Sequence, residues 1–172
     1  MLKLIGAFMV IFGCSNMGFY YRGELREGLH HMRMLRQILE MMMSEIRYNK
    51  STLPECCRQV GKNAESPYAE ALTEIYDLMS SRSGYCFSQC WEQEMGKCLA
   101  GLPISGKETQ MALGLASCGS LNDCDMQIRA IEQYRDMIDY AVRKREEALH
   151  RQGKMAAGLG IMSGLLLVVI LI

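Results

Sequence analysis

The chain divides by its apolar pattern into two regimes. Residues 4–21 (LIGAFMVIFGCSNMGFYY) and 155–172 (MAAGLGIMSGLLLVVILI) carry no charge, and the 133 residues between them hold nearly all of it. In the middle stretch apolar residues recur at helical spacing. Residues 22–50 place Met32, Leu35, Leu39, Met42 and Ile46 alternately three and four apart, the seam of a packed helix. Met34, Ile38 and Met41 widen that seam to a second face, and the helix has to stop by Ser51.

Thr52-Leu53-Pro54-Glu55 then reads as a capping box with proline tolerated in the first turn, opening a short helix over 53–62. Ser66-Pro67 opens another over 67–81, with Ala71, Ile75 and Leu78 on one face. A fourth is expected over 86–100, with Phe87, Cys90, Trp91, Met95 and Cys98 inward, and a fifth over 106–117. Asn122 or Asp123 can cap a sixth that runs to about 152, with Ile131, Tyr134, Ile138, Ala141 and Ala148 on its seam. It matches the first helix in length and pattern, so the two are expected to pack antiparallel. No segment alternates as a strand. The fold class expected is all-α: a bundle of about six helices carried on a two-helix transmembrane hairpin.

Each charge-free run has 18 residues. At about 1.5 Å per residue a helix of that length covers roughly 27 Å, close to the hydrocarbon core of a bilayer. The domains expected are a span at 1–21, a soluble bundle at 22–154 and a second span at 155–172. Arg22 and Arg26 follow the first run, and Arg143, Lys144, Arg145, Arg151 and Lys154 precede the second, whereas only Lys3 lies outside. The positive-inside rule then places the bundle in the cytoplasm. A different reading makes Cys14 the lipidated residue of an exported lipoprotein. Phe12 is bulky where that signal wants a small residue, and the apolar character resumes after Cys14 instead of giving way to a polar tether. In the second run Ala156, Gly160 and Gly164 recur every four residues, a spacing that lets another helix approach closely, with Gly6, Ala7 and Gly18 as candidate partners.

Charge and cysteine content narrow the chemistry. Lys+Arg and Asp+Glu number 19 each, which gives no basic stripe for nucleic acid. The eight cysteines include an adjacent pair, Cys56-Cys57, that is awkward for disulfides, and no CxxC pair for zinc. In a reducing compartment such thiols behave as small hydrophobes. His30-His31 lies beside Met32 and Met34, a combination known from copper sites, but here it sits next to a core seam. A thiol enzyme would need a base beside a cysteine, yet the histidines sit at 30, 31 and 150, away from most of the thiols. Nothing in the pattern asks for a cofactor.

Several stretches are collinear with a known family. The chain opens MLKLIGA, the first helix carries LRQILEMMMSEIRYNKSTL, and the chain closes LGIMSGLLLVVILI. Leu35-Arg36, Glu45-Ile46, Tyr48, Asp123, Gln127, Leu159-Gly160 and Gly164-Leu165-Leu166 carry the match. The chain resembles the stage III sporulation protein AB family of endospore-forming bacteria over essentially its whole length. That resemblance implies a two-pass protein of the mother-cell membrane around the forespore, part of a channel complex. It also implies a soluble domain similar to the cytoplasmic domain of the inner-membrane platform protein of type II secretion and type IV pilus machines. The implied role is a non-catalytic platform, and the implied partners are the stage III sporulation protein AA ATPase, other stage III sporulation channel proteins and membrane lipid, with oligomers possible. A generic two-pass scaffold is the other role compatible with the pattern. Charges on the first and last helices, Glu40, Glu45 and Asp123, are the candidate partner surface. Each has a plain alternative: solvation for Glu40, a pair within its own helix for Glu45, an N-cap for Asp123.

Overall fold

The computed structural model describes residues 23–81, 84–121 and 123–151; beyond them it gives only the helical path of the two long helices. Six α-helices follow in order: α1 (Leu2–Ser44), α2 (Leu53–Gly61), α3 (Tyr68–Ser80), α4 (Phe87–Ala100), α5 (Gly106–Leu113) and α6 (Cys124–Leu171). Among the described residues there is no strand. Each helix packs on the next, and α6 returns to lie along α1, so the ring of neighbours closes. The all-helical bundle expected from the apolar spacing is present.

The core follows most of the predicted seam. Met32, Leu35, Ile38, Leu39 and Met42 of α1 are buried, with Ile46 just beyond its end, and so are Ile131, Ile138 and Ala141 of α6; Tyr134 and Ala148, expected on the same seam, are only half-buried. Between them lie Tyr68, Leu72 and Ile75 of α3 and Phe87, Cys90, Trp91 and Met95 of α4. Two of the buried polar tips find partners, as a low-dielectric interior favours, whereas His31 Nδ1 is buried without one. Trp91 Nε1 donates to the Ala112 carbonyl at 3.0 Å, and the Tyr68 hydroxyl donates to the His31 carbonyl at 3.4 Å. On α4 the inward position is Leu99, which continues the four-residue step of Phe87, Trp91 and Met95, whereas Cys98, three after Met95, is half-buried.

Helix ends depart most from the sequence reading. The first long helix is α-helical only to Ser44 and closes through one wider π turn, Glu45–Asn49. Lys50 takes the left-handed conformation (φ 54°) and returns its N–H to the Glu45 carbonyl. Thr52 stands at the start of α2, but its side chain makes no capping bond. The Cys56 N–H instead meets the Thr52 carbonyl at 2.8 Å, and Glu55 pairs with Arg58 at 2.7 Å. The capping box forms at α5: the Ser105 hydroxyl accepts from the Glu108 N–H, and the Ser105 N–H donates to Glu108 Oε2 at 2.7 Å. Residues after Leu113 tighten into a 3₁₀ segment, Gly114–Ser120, so the fifth α-helix is shorter than expected.

Among the described residues no helix is long and apolar enough to cross a membrane. The two charge-free runs, 4–21 and 155–172, lie outside the described residues. So do Cys14 and the small residues Gly6, Gly18, Ala156, Gly160 and Gly164.

Candidate functional site: the outer face of the two long helices

α1 and α6 run antiparallel, and ion pairs bridge them. Arg36 Nη1 meets Asp139 Oδ1 at 2.9 Å, one side chain reaching across the helix pair, and Arg33 pairs with Glu146. Arg143 Nε reaches the other oxygen of Asp139 at 2.9 Å. Asp139 is held below the usual carboxylate range, first by the Arg36 hydrogen bond and then by Arg143.

Towards the far end of the pair, two shallow grooves flank α6. One, of about 200 Å³, is lined by Glu40, Met43, Ser44, Arg47 and Tyr48 on the α1 side and by Glu132 and Arg135 on α6. The other, of about 690 Å³, lies between α5 and α6 and is lined by Met111, Arg129, Glu132, Gln133, Asp136, Met137 and Tyr140. Glu132 borders both, so they form one continuous face. Among the described residues, four of the five exposed large apolar side chains lie on α6 or the π turn after α1: Tyr48 at 77%, Tyr140 at 69%, Met126 at 57% and Met137 at 37% exposure, and all but Met126 line the grooves. Exposed Tyr and Met among Arg is the composition of a protein-binding patch, since aromatic anchors bury much area at low entropic cost. The π turn adds to it: a wider turn keeps Ile46 in the core while Arg47 and Tyr48 stand outside.

The three predicted surface carboxylates are not equivalent. Glu40 borders the smaller groove and is loosely tied to Arg36, 3.8 Å away. Glu45 is occupied at its helix end, accepting from Asn49 Nδ2 at 2.9 Å and from Ser51 Oγ at 3.3 Å. Asp123 caps α6, its Oδ2 accepting from the Met126 N–H at 3.2 Å. The structure brings only Glu40 to the grooves. Tyr48 was legible as a match to the family, but Tyr140, Met137 and Met111 carried no signal beyond breaking the seam.

The buried thiols among the described residues are packing groups. Burial pushes Cys56 up to about 12 and Cys98 and Cys118 up to about 11, and it raises Cys57 and Cys90 too. Such sulfurs stay protonated at neutral pH and are poor nucleophiles. Cys86 is the exposed one. Among the described residues no three potential metal ligands come together. His31 is buried against Tyr68, ring centroids 5.9 Å apart, while His30 points to Glu65 at 3.8 Å, so the adjacent histidines diverge.

A sequence model described as stage III sporulation protein AB matches residues 3–172. The chain belongs to the stage III sporulation protein AB family. Stage III sporulation protein AB of Bacillus subtilis (strain 168) is 25% identical over 171 residues, covering 99% of either chain. A solved structure titled stage III sporulation protein AB superposes with a TM-score of 0.64 at 20% identity, covering 72% of this chain and 97% of that one. The structural likeness places the helical bundle in the same fold as that family member, and the full-length match covers both apolar runs as well as the bundle.

Proposed function

We propose that this protein is a non-catalytic platform of the mother-cell membrane, which receives a cytoplasmic ATPase on the outer face of α1 and α6 and passes its motion to the membrane. The observation that carries this reading is the continuity of the long helices. α1 and α6 run for 43 and 48 residues, about 65 and 72 Å at 1.5 Å per residue. Each leads from the bundle into one charge-free run without a break. A two-span hairpin needs its two runs to start at a similar height, and the antiparallel pairing of α1 with α6, bridged by Arg36 and Asp139, is compatible with that. Stiff helices joined by ion pairs transmit displacement where a flexible tether would absorb it. Gly6, Gly18, Ala156, Gly160 and Gly164 are the proposed close contacts between the spans. The stage III sporulation protein AA ATPase is the proposed motor, other stage III sporulation channel proteins are the proposed partners across the membrane, and the inert thiols fit a role without chemistry.

The test is co-purification. The tagged full-length chain, drawn from membranes of sporulating cells, is expected to bring down the ATPase, and Tyr140→Asp with Tyr48→Asp is expected to lower the yield at least tenfold with the fold retained. Recovery of the ATPase undiminished by those changes moves the docking face elsewhere. No ATPase with the unaltered chain leaves a two-pass scaffold without a motor.

A further inference from the structure

The fully buried part of the apolar core stops short of the charge-free runs, with Leu102, Ile104 and Leu149 only half-buried against it. Among the described residues of α1 no apolar side chain before Leu29 is fully buried, and on α6 none after Val142. An ionic cluster takes over there. Arg145 of α6 donates from Nε to Glu108 Oε1 at 2.7 Å and from Nη2 to Glu108 Oε2 at 2.6 Å. The same Nη2 reaches the Pro103 carbonyl at 3.3 Å. The two side chains are 14% and 10% exposed, the most enclosed ion pair among the described residues. Glu108 is locked from behind by the Ser105 N–H of the α5 capping box. The guanidinium lies over Gly28 of α1, where any Cβ would overlap both Arg145 and the Pro103 carbonyl. One cluster thus fastens α1, the α4–α5 connection, α5 and α6 together at the end of the bundle nearest the apolar runs.

We propose that this cluster is a clasp: it sets the spacing of α1 and α6 where they leave the bundle, and it opens locally while the apolar core above stays closed. A bidentate pair keeps its strength only in one geometry, so both of its hydrogen bonds weaken together when the side chains part. Above it the core is continuous and apolar, and opening that part requires unfolding. The clasp does not depend on the membrane reading; only its consequence does, since a change in spacing at residues 28 and 145 would pass to the spans.

Amide hydrogen exchange on the full chain in lipid nanodiscs tests it. Glu108→Gln removes the charge at nearly constant shape. Exchange is expected to accelerate at least about tenfold in residues 24–30, 101–108 and 143–150, with 53–61 and 87–99 unchanged. Gly28→Ala, which displaces the guanidinium without touching a charge, is expected to give the same pattern. Arg145→Lys keeps the charge but not the fork and is expected to fall between. Exchange unaltered in all three variants overturns the proposal, and so does acceleration of equal size in α2 and α4, which would make the cluster a general stabiliser. Neither outcome bears on which side of the membrane the bundle lies.

Discussion

The two ends of the bundle are held by different physics. At the far end Trp91, Phe87, Cys57 and Cys90 are sealed together, with one tryptophan N–H satisfied by the Ala112 carbonyl and no buried charge among them. At the near end a half-buried arginine and a buried glutamate lie on a glycine. A close-packed apolar interior resists deformation, whereas a buried ion pair is stable only with both partners in place. The far end is then the rigid body and the near end, as proposed, a fastening with two states. The proposed platform has use for that division.

Changing one member of each end tests the contrast. Trp91→Ala leaves a large void and an orphaned carbonyl, and is expected to cost about 4 kcal/mol, lowering the melting temperature and speeding exchange everywhere. Glu108→Ala strands Arg145 and is expected to cost about 3 kcal/mol, with the loss confined to the near end. Equal and global losses from both substitutions would erase the distinction. Cys57→Ser puts a hydroxyl into an apolar site and is expected to cost about 1–2 kcal/mol, whereas Cys86→Ser on the surface changes stability by less than about 0.5 kcal/mol.

The smallest effect is a pH dependence. Burial, and then the neighbouring His30, lower the His31 pKa from its ordinary 6.5, while Glu27 opposes them. Its folded value is depressed, so the unfolded chain takes up the proton first. Stability is expected to be full above pH 6.5 and to decline as pH falls below it, and His31→Phe should flatten that decline in a melting-temperature series. The Glu108 carboxyl adds to the loss at lower pH. Burial alone would raise it, but Arg145 and Ser105 outweigh burial and hold it below its ordinary 4.5. That contribution is present above pH 4.5 and is lost as acid protonates the carboxyl.

What was legible in the sequence follows the same division. Apolar spacing located the six helices because burial imposes a period on every residue of a face. Met32, Leu35, Leu39, Met42 and Ile46 are all buried as that period requires. Caps were harder, because two signatures competed. Thr52–Glu55 and Ser105–Glu108 have the same spacing, and only the second closes, since Glu55 finds Arg58 one turn on. The clasp was hidden. Arg145 sits in a basic run that reads as topology, and nothing local says that it turns inward to a glutamate 37 positions earlier. The proposed docking face was half legible: charge on the long helices pointed to Glu40, but grooves arise from the offset between helices, which no single-helix pattern encodes.

The account rests on the bundle lying on the cytoplasmic side of two spans. Cys86 is the reporter, being exposed while Cys56, Cys57 and Cys90 are buried. Intact protoplasts of sporulating cells are treated with a membrane-impermeant maleimide, with permeabilised and denatured samples as controls. The account predicts that Cys86 stays unlabelled until the membrane is opened, and that the buried thiols stay unlabelled until the chain is denatured. Labelling of Cys86 in intact protoplasts would put the bundle outside, return Cys14 as a lipidation site, and contradict the platform.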